Sequence, residues 1–443
     1  MLCPPRSFQR LERVLTDLVD ERVGIVRVVE ESSREPGGPE FFHYYAETCN
    51  TQAFTDEKNS GDTGGASANR KIALGKAIGE AVERYCSAIY DPMAFPLTTA
   101  QAATFPCIPP NRFAFHSQHQ YEYPDFPYVP FTEQTPACWA PVSDPLTGDI
   151  HYVPAALIFV PYRFQEERGE ACIGQRISTG LACHCSYEEA AISAICEVIE
   201  RDAITITWQA QLSWPHIDLE TLSPSNRDLV ARFERIGSHV TLLYLAMDHG
   251  LPTILSIAKG RTPGAPALCF AASTEMNPEH AVRKSLEELA HTRRLAQQML
   301  THRAPFSPKQ EYRNVTGQDA HVHLYCHQEF SHLAEFVLAS PRRISFDSIP
   351  TFSTGIHSTD LLALLKKIQY VNHQVLLADL TTPDVRELRL WVIKAVIPGF
   401  HPMFLGHQLR ALGGIRLWEL PQQLGFAGIA HETGANPAPH PFP

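Results

Sequence analysis

The feature that most constrains this chain is an acidic turn that occurs twice, late in two apolar helical segments. ALGKAIGEAVERY (73–85) and AAISAICEVIERD (190–202) both contain Glu-x-x-Glu-Arg, and AVRKSLEELAHTR (281–293) echoes them. Residues three apart sit about 60° apart around a helix, so Glu80 shares a face with Glu83, and Glu197 with Glu200. A single copy of this motif reads as a solvated face with local ion pairs. Two copies, each in a helix rich in small residues, need another reason. Converging carboxylates repel one another unless a cation lies between them, and hard oxygen donors suit Mg2+ carrying a triphosphate. Arg84 and Arg201 follow directly, each a planar cation suited to phosphate oxygens. The expectation is two helix faces meeting around a magnesium-nucleotide centre.

Periodicity supplies the frame. Leu74, Ala77, Ile78, Ala81, Val82 and Tyr85 recur at helical spacing within residues 70–89. A second helix is expected over 187–207, with Ser186 as N-cap and Glu189 completing a capping box. A third begins at Asn277, with Pro278 at its first position, and runs to about Met299. Between them, β-branched alternating runs at 239–247, 253–259 and 267–273 predict an antiparallel meander, its first turn at His249-Gly250. Strands over 375–380 and 390–397 flank a Thr-Thr-Pro-Asp turn. Together these predict an α+β fold, with antiparallel sheets flanked by helices and the nucleotide site between helices, rather than a doubly wound parallel sheet. Neither Gly-x-Gly-x-x-Gly nor a phosphate-loop motif occurs, so a nucleotide is held by other means.

Charge and composition narrow the function classes. The chain has 443 residues, and no Gly/Ser-rich or charge-run linker divides it, which favours one large domain. With 37 Lys and Arg against 48 Asp and Glu, the net charge of -11 opposes a sequence-independent grip on nucleic acid. No apolar run reaches the about 18 residues of a membrane span, and charges interrupt the first residues where a signal peptide needs an apolar core. The expected setting is cytoplasmic. Eleven cysteines without a disulfide-like framework fit a reducing compartment. Cys183 and Cys185 around His184 lack the second cluster of a zinc knuckle and read as structural thiols. Many of the prolines fall between Pro92 and Pro161, predicting an irregular or strand-rich stretch with exposed turns.

The paired Glu-x-x-Glu-Arg helices, the STGLA segment at 178–182 and the Leu-x-Glu-x-x-His-x-Arg form of the third helix together resemble the YcaO family. The resemblance runs from about residue 60 to the end, implying a main domain over 61–443 with 1–60 as an N-terminal extension packed on it. It implies that Glu80, Glu83, Glu197 and Glu200 bind Mg2+, that Arg84 and Arg201 hold the phosphates of ATP, and that Ser178 and Glu189 lie near the nucleotide. Glu288, His291 and Arg293 match the family's Glu, Gln and Arg on the third helix as ATP contacts, with Arg294 as an alternative to Arg293. The family's Gly-Lys-Gly ahead of the first paired Glu is absent, and this chain has Gly65-Ala66-Ser67 and Lys76 in that region. Either Lys71 or Lys76 replaces that cation, or both are ordinary lysines of an exposed helix face.

The last seven residues, PAPHPFP, alternate Pro437, Pro439, Pro441 and Pro443. As polyproline II they form a stiff rod of about 20 Å that loses little entropy when fixed. Alone, such an ending reads as a frayed tail or a ligand for a proline-binding partner. It also resembles the Pro-x-Pro-x-Pro terminus of azoline-forming YcaO members, where the tail enters the active site, and VIPGFHP (396–402) and LRALGGIRLWELPQQLGF (409–426) add to the likeness. The resemblance implies an ATP-dependent cyclodehydratase of the thiazole/oxazole-modified microcin type. Such an enzyme closes Cys, Ser or Thr of a ribosomally made precursor peptide into thiazoline or oxazoline through phosphorylation of the backbone amide oxygen. The terminal carboxylate of Pro443 is then the base, with His291 as a second candidate. The rivals are ATP-dependent thioamidation with a TfuA-type partner and a scaffold subunit that binds ATP without turnover. Implied partners are the precursor peptide, a ubiquitin-activating-enzyme-like or ThiF-like leader-binding protein and an FMN-dependent azoline dehydrogenase; a homodimer stays open.

Overall fold

The computed structural model describes residues 14–430 and 434–443. Three sheets carry it. The first is antiparallel, with β1 (Val26–Glu31), β2 (Phe42–Thr48) and β3 (Asp62–Ser67) in that order. The second contains β4 (Leu97–Thr98), β5 (Ala137–Ser143), β7 (Leu181–His184), β13 (Leu376–Asp379) and β14 (Trp391–Val396), ordered β4-β5-β13-β14-β7, with β6 (Ile150–Pro154) beside β5. In the third, β8 (His216–Asp218), β9 (Ser238–Tyr244), β10 (Thr253–Gly260), β11 (Leu268–Thr274) and β12 (Arg343–Ser345) run in the order β11-β10-β9-β8-β12. Among the described strand pairs, β12–β8 alone is parallel. The expected meander is β9-β10-β11, in full antiparallel register.

Three long helices sit where the spacing of apolar residues predicts them. α1 (Arg70–Ala88) starts on Asn69, whose side chain accepts the N–H groups of Lys71 and Ile72. Its stripe of Ala77, Ile78, Ala81, Val82 and Tyr85 is buried against Leu18, Val26 and Ala46. The approach of β3 to α1 is so close that a Cβ on Gly65 would lie 2.2 Å from the carbonyl oxygen of Ala73, so a larger residue there would force the two apart. α2 (Tyr187–Gln209) is the central helix. From Ile199 to Gln209 every residue except Arg201 is buried, which places any carboxylate there out of water. Its capping box is modified: Ser186 Oγ accepts the Glu189 N–H at 3.2 Å and donates to the Glu189 carboxylate at 3.1 Å. α3 (Pro278–His302) follows the Asn277 cap and the Pro278 start expected of it, and packs on β10 and β11.

α4 (Gln318–Tyr325), α5 (His357–Tyr370) and α6 (Ile415–Gln423) complete the part of the scaffold used below. The Thr-Thr-Pro-Asp segment is more than a turn, because Pro383 opens a short helix, Pro383–Glu387, at the position where proline costs no hydrogen bond. Residues 92–161 carry three short strands among single turns, as their prolines imply. None of the described cysteines is joined in a disulfide, and no described helix is long and apolar enough to cross a membrane.

α6 is locked to α2 by a buried ionic network. Arg416 Nε lies 2.9 and 3.0 Å from the two Asp202 oxygens, while its terminal nitrogens meet Asp248 at 2.8 and 2.7 Å. Asp202 also accepts the His401 N–H at 2.7 Å. Arg416→Met would leave Asp202, which is fully buried, without its cation. The expected loss is about 3–5 kcal/mol in urea unfolding. A change below about 1 kcal/mol would mean that solvent reaches the network.

Candidate nucleotide and metal site

All four repeated glutamates are anchored in the same way: each gives one carboxylate oxygen to a backbone N–H outside its own helix. Glu80 accepts from Gly64 at 3.1 Å, Glu83 from Cys183 at 2.7 Å, Glu197 from Gly180 at 3.1 Å and Glu200 from Thr274 at 3.1 Å. The paired acids of α1 thus reach β3 and β7, and those of α2 reach the turn before β7 and the end of β11. Gly180 serves because it adopts φ +84°, which a side chain resists. Such bonds fix the carboxylate rotamers while leaving the second oxygen of each group for another partner. Arg84 takes that oxygen of Glu80 at 3.0 Å, and Arg201 lies 3.8 and 3.6 Å from Glu197 and Glu200.

The two helices form one electrostatic cluster. Burial, then Glu80 and more weakly Glu197, push the Glu83 carboxyl well above its usual range, against the pull of Arg84 and the Cys183 N–H. Burial raises Glu200 to about 7, with Glu197 and Glu288 adding to the shift against Arg201 and Lys284. Desolvation opposes the charge of Lys284, but Glu275, Glu200 and Glu288 overcome it and raise its pKa. Buried acids that disfavour each other's ionisation are donors whose charge a bound cation offsets. Among the described residues, no three His, Cys, Asp or Glu side chains are grouped so as to hold a metal ion by themselves, whereas Mg2+ that arrives with a nucleotide needs only one or two carboxylates beside phosphates and water.

A pH dependence follows. Glu200 has a usual value of 4.5 and stands near 7 in the folded chain. The folded state therefore holds the proton more tightly, so its stability falls at this group as pH rises from about 4.5 to about 7. A cation that needs the ionised carboxylate gains affinity over the same interval. The shift in Tm produced by Mg2+ alone is expected to be larger at pH 8 than at pH 6. Equal shifts at both values would remove Glu200 from the ligand set.

The remaining expected site residues divide. His291 reaches the cluster: a Cβ on Gly64, whose N–H donates to Glu80, would lie 2.5 Å from its Cε1 atom. Lys76 is not an exposed-face lysine. Its Nζ donates to Ala66 O at 3.0 Å, Glu287 at 2.9 Å and Glu288 at 3.4 Å, drawn inward because α3 presents two acids to the end of β3. Lys71 remains exposed. Glu189 sits at the start of α2, with His357 Nδ1 at 3.7 Å. Ser178 lies in a turn held from both sides, since Lys394 Nζ donates to Ile177 O at 2.9 Å and Thr179 O at 2.7 Å. Arg293 does not join the carboxylates. It is buried 3.5 Å from Glu35 in the β1–β2 connection, and Arg294 donates to Ser33 O at 2.7 Å in the same connection.

Sequence reasoning missed Glu287, Lys284 and Lys394. Lys284 lies one helical turn before Glu288, and Lys394 is the lone charge in the apolar strand β14; each carried a readable signal.

The proline tail is neither frayed nor displayed. It runs through the interior beside the end of α2: Trp208 Nε1 donates to Ala438 O at 3.0 Å, Tyr325 OH to Pro439 O at 2.6 Å, and His321 Nδ1 pairs with His440 O at 2.7 Å. The His321 and His440 rings stack at 3.8 Å. Phe442 is 2% exposed and packs among the residues around Phe270 and Leu324. Burial and then His321 keep His440 neutral, and Arg201 adds to that effect, which brings the tail within the electrostatic reach of α2's arginine.

The fold and this cluster define a mixed helix-and-sheet protein in which four carboxylates on two helices are anchored beside two arginines. The family model described as YcaO cyclodehydratase, ATP- and Mg2+-binding, matches residues 64–401, and the chain belongs to that family. ATP and Mg2+ are accordingly its cofactors. The fold is that of the YcaO heterocyclases. A heterocyclase described in complex with substrate and cofactor covers 98% of this chain with a TM-score of 0.80 at 19% identity, and this chain spans 57% of that one. The Methanopyrus kandleri YcaO bound with AMPPCP and Mg2+ covers 89% at a TM-score of 0.62 and 18% identity; this chain spans 90% of it. An uncharacterized protein of Methanothermobacter thermautotrophicus is 28% identical over 282 residues, 60% of this chain and 67% of its own. Another, in the tfuA 3' region of Rhizobium leguminosarum bv. trifolii, is 26% identical over 187 residues, 39% of this chain and 42% of its own.

Proposed function

We propose that this chain is the ATP-dependent cyclodehydratase of a peptide-modifying system, acting on Cys, Ser or Thr of a ribosomally made precursor in the cytoplasm. The observation that carries this reading is the proline tail, buried over residues 438–442 and held beside the end of α2 through three successive carbonyl oxygens. In this mechanism Glu80, Glu83, Glu197 and Glu200 hold Mg2+, which when bound offsets the negative charge of the transferring phosphoryl group. Arg84 and Arg201 face the phosphates. Ser178, Glu189, Glu288 and His291 contact the nucleotide, and Arg293 supports that wall from behind through Glu35.

The side-chain thiol or hydroxyl attacks the carbonyl carbon of the preceding residue, and the oxyanion so formed attacks the γ-phosphorus of ATP. Loss of phosphate with the amide proton then leaves the azoline, with ADP and phosphate as co-products. The chain supplies positioning and charge compensation, and the Pro443 carboxylate takes a proton, with His291 as the second base. We assign leader recognition to a separate ubiquitin-activating-enzyme-like or ThiF-like protein, and later oxidation of the ring to an FMN-dependent dehydrogenase.

A second reading, thioamidation, is favoured by the rhizobial relative described by its tfuA neighbour. Mass spectrometry of a Cys-containing peptide with the leader-binding partner, ATP, Mg2+ and sulfide as a sulfur donor decides. Loss of one water with matched phosphate release supports cyclodehydration. Exchange of oxygen for sulfur, or ATP binding without turnover, would replace it with thioamidation or a scaffold role.

A further inference from the structure

A cavity of about 130 Å³ lies between the Ser178 turn, the 394–404 segment and residues 113–116, and no step of the mechanism uses it. Its walls are apolar, with Phe113, Phe115, Val198, Ile397, Phe400 and Met403. Its polar lining is sparse. Gln175 is spent on the backbone of Leu405, and Lys394 on the Ser178 turn. His401 is different: it is 1% exposed, and neither ring nitrogen has a partner. Nδ1 of the buried His116 is also unpartnered. Apolar walls with a few unspent polar groups are the composition of a ligand pocket. The volume is close to that of an apolar cavity of about 150 Å³ that accommodates benzene.

The position of the cavity points to its occupant. Thr179 and Val198 adjoin Gly180 and Glu197, and the Lys394 ammonium feels the charges of Glu197 and Arg84. On the opposite side Phe404 O pairs with His440 of the tail at 2.9 Å, and Met403 packs in the same cluster as Phe442. Residues that line the cavity thus adjoin Glu197 through Val198 and the proline tail through Phe404, which puts the cavity beside the site that the proposed function requires.

We propose that this cavity is a side-chain pocket for the peptide substrate, taking one aliphatic or aromatic residue next to the activated amide. It rests on the reading that the substrate is a peptide. Seating a leucine or phenylalanine in it favours that peptide over a glycine one by about 10–100-fold in kcat/KM.

The test uses two readouts on the full chain. The first is binding of N-acetyl-phenylalanine amide, N-acetyl-leucine amide and N-acetyl-glycine amide followed by NMR, which needs no turnover. The second is kcat/KM for peptides carrying Phe, Leu or Gly before the cyclised Cys. The wild type is expected to bind the first two amides and not the third, and to prefer the matching peptides. Ala411→Leu narrows the cavity and is expected to lose the phenylalanine amide with ATP affinity unchanged. Phe113→Ala widens it and is expected to admit N-acetyl-tryptophan amide. Selective amide binding without ring formation from any peptide would keep the pocket and overturn the cyclodehydratase reading. Ring formation indifferent to the neighbouring residue, with no amide binding by the wild type, would overturn the pocket. Should Ala411→Leu fail to fold, the wild-type comparison and Phe113→Ala still decide.

Discussion

Removal of Pro443 alone is expected to lower ring formation at least about 100-fold while ATP binds as before. The shortened chain still ends in a carboxylate, but that group is now borne by Phe442, one polyproline step of about 3 Å behind. A base displaced by that distance no longer reaches its proton within hydrogen-bond range. The tail cannot stretch to compensate, because Ala438, Pro439 and His440 are each held through their carbonyl oxygens. Larger truncations confound two effects. Phe442 is almost wholly buried, and Phe442→Ala is expected to cost about 3–5 kcal/mol of stability, visible as a lowered urea midpoint. Deletion of Pro443, which is only half-buried, separates the carboxylate from that packing. Normal turnover by the shortened enzyme would take the terminus out of the chemistry.

The second large effect concerns Glu200. Glu200→Gln keeps an oxygen for the Thr274 N–H and removes the charge. Peptide-dependent phosphate release is expected to fall at least about 100-fold, since a donor to the cation is lost. Without Mg2+ at pH 8, the same variant is expected to melt above the wild type. Ionised Glu200 is there buried away from water, with Glu197 and Glu288 adding repulsion that Arg201 and Lys284 only partly offset, and the neutral amide escapes that cost. Opposite signs for activity and apo stability mark a site residue rather than a scaffold residue. A Glu200→Gln enzyme that is less stable without metal and still active would refute the assignment.

The two acidic turns, the three long helices and the meander were legible because each depends on short-range rules. A spacing of three puts Glu80 with Glu83 on one face wherever the helix goes. Asn277 followed by Pro278 starts a helix whatever it packs against. The α+β architecture followed from these elements, and the proline ending was visible as a rod. Its inward course was implied only by the family resemblance, because nothing local to PAPHPFP specifies Trp208, Tyr325 and His321 as its partners.

What the sequence by itself determined is therefore the proposed set of donors: four glutamates on two helix faces with two arginines beside them, placed by helix periodicity, and a stiff proline segment. Only the tertiary structure decided their use. It chose which N–H orients each carboxylate, and it turned Lys76 inward to Glu287, whose other oxygen takes a hydroxyl 220 residues away in the chain. Arg293 went to Glu35, and Lys394 came to hold the Ser178 turn. Such pairings are settled by burial and charge among distant segments, where solvent no longer screens a misplaced group and each must find its partner.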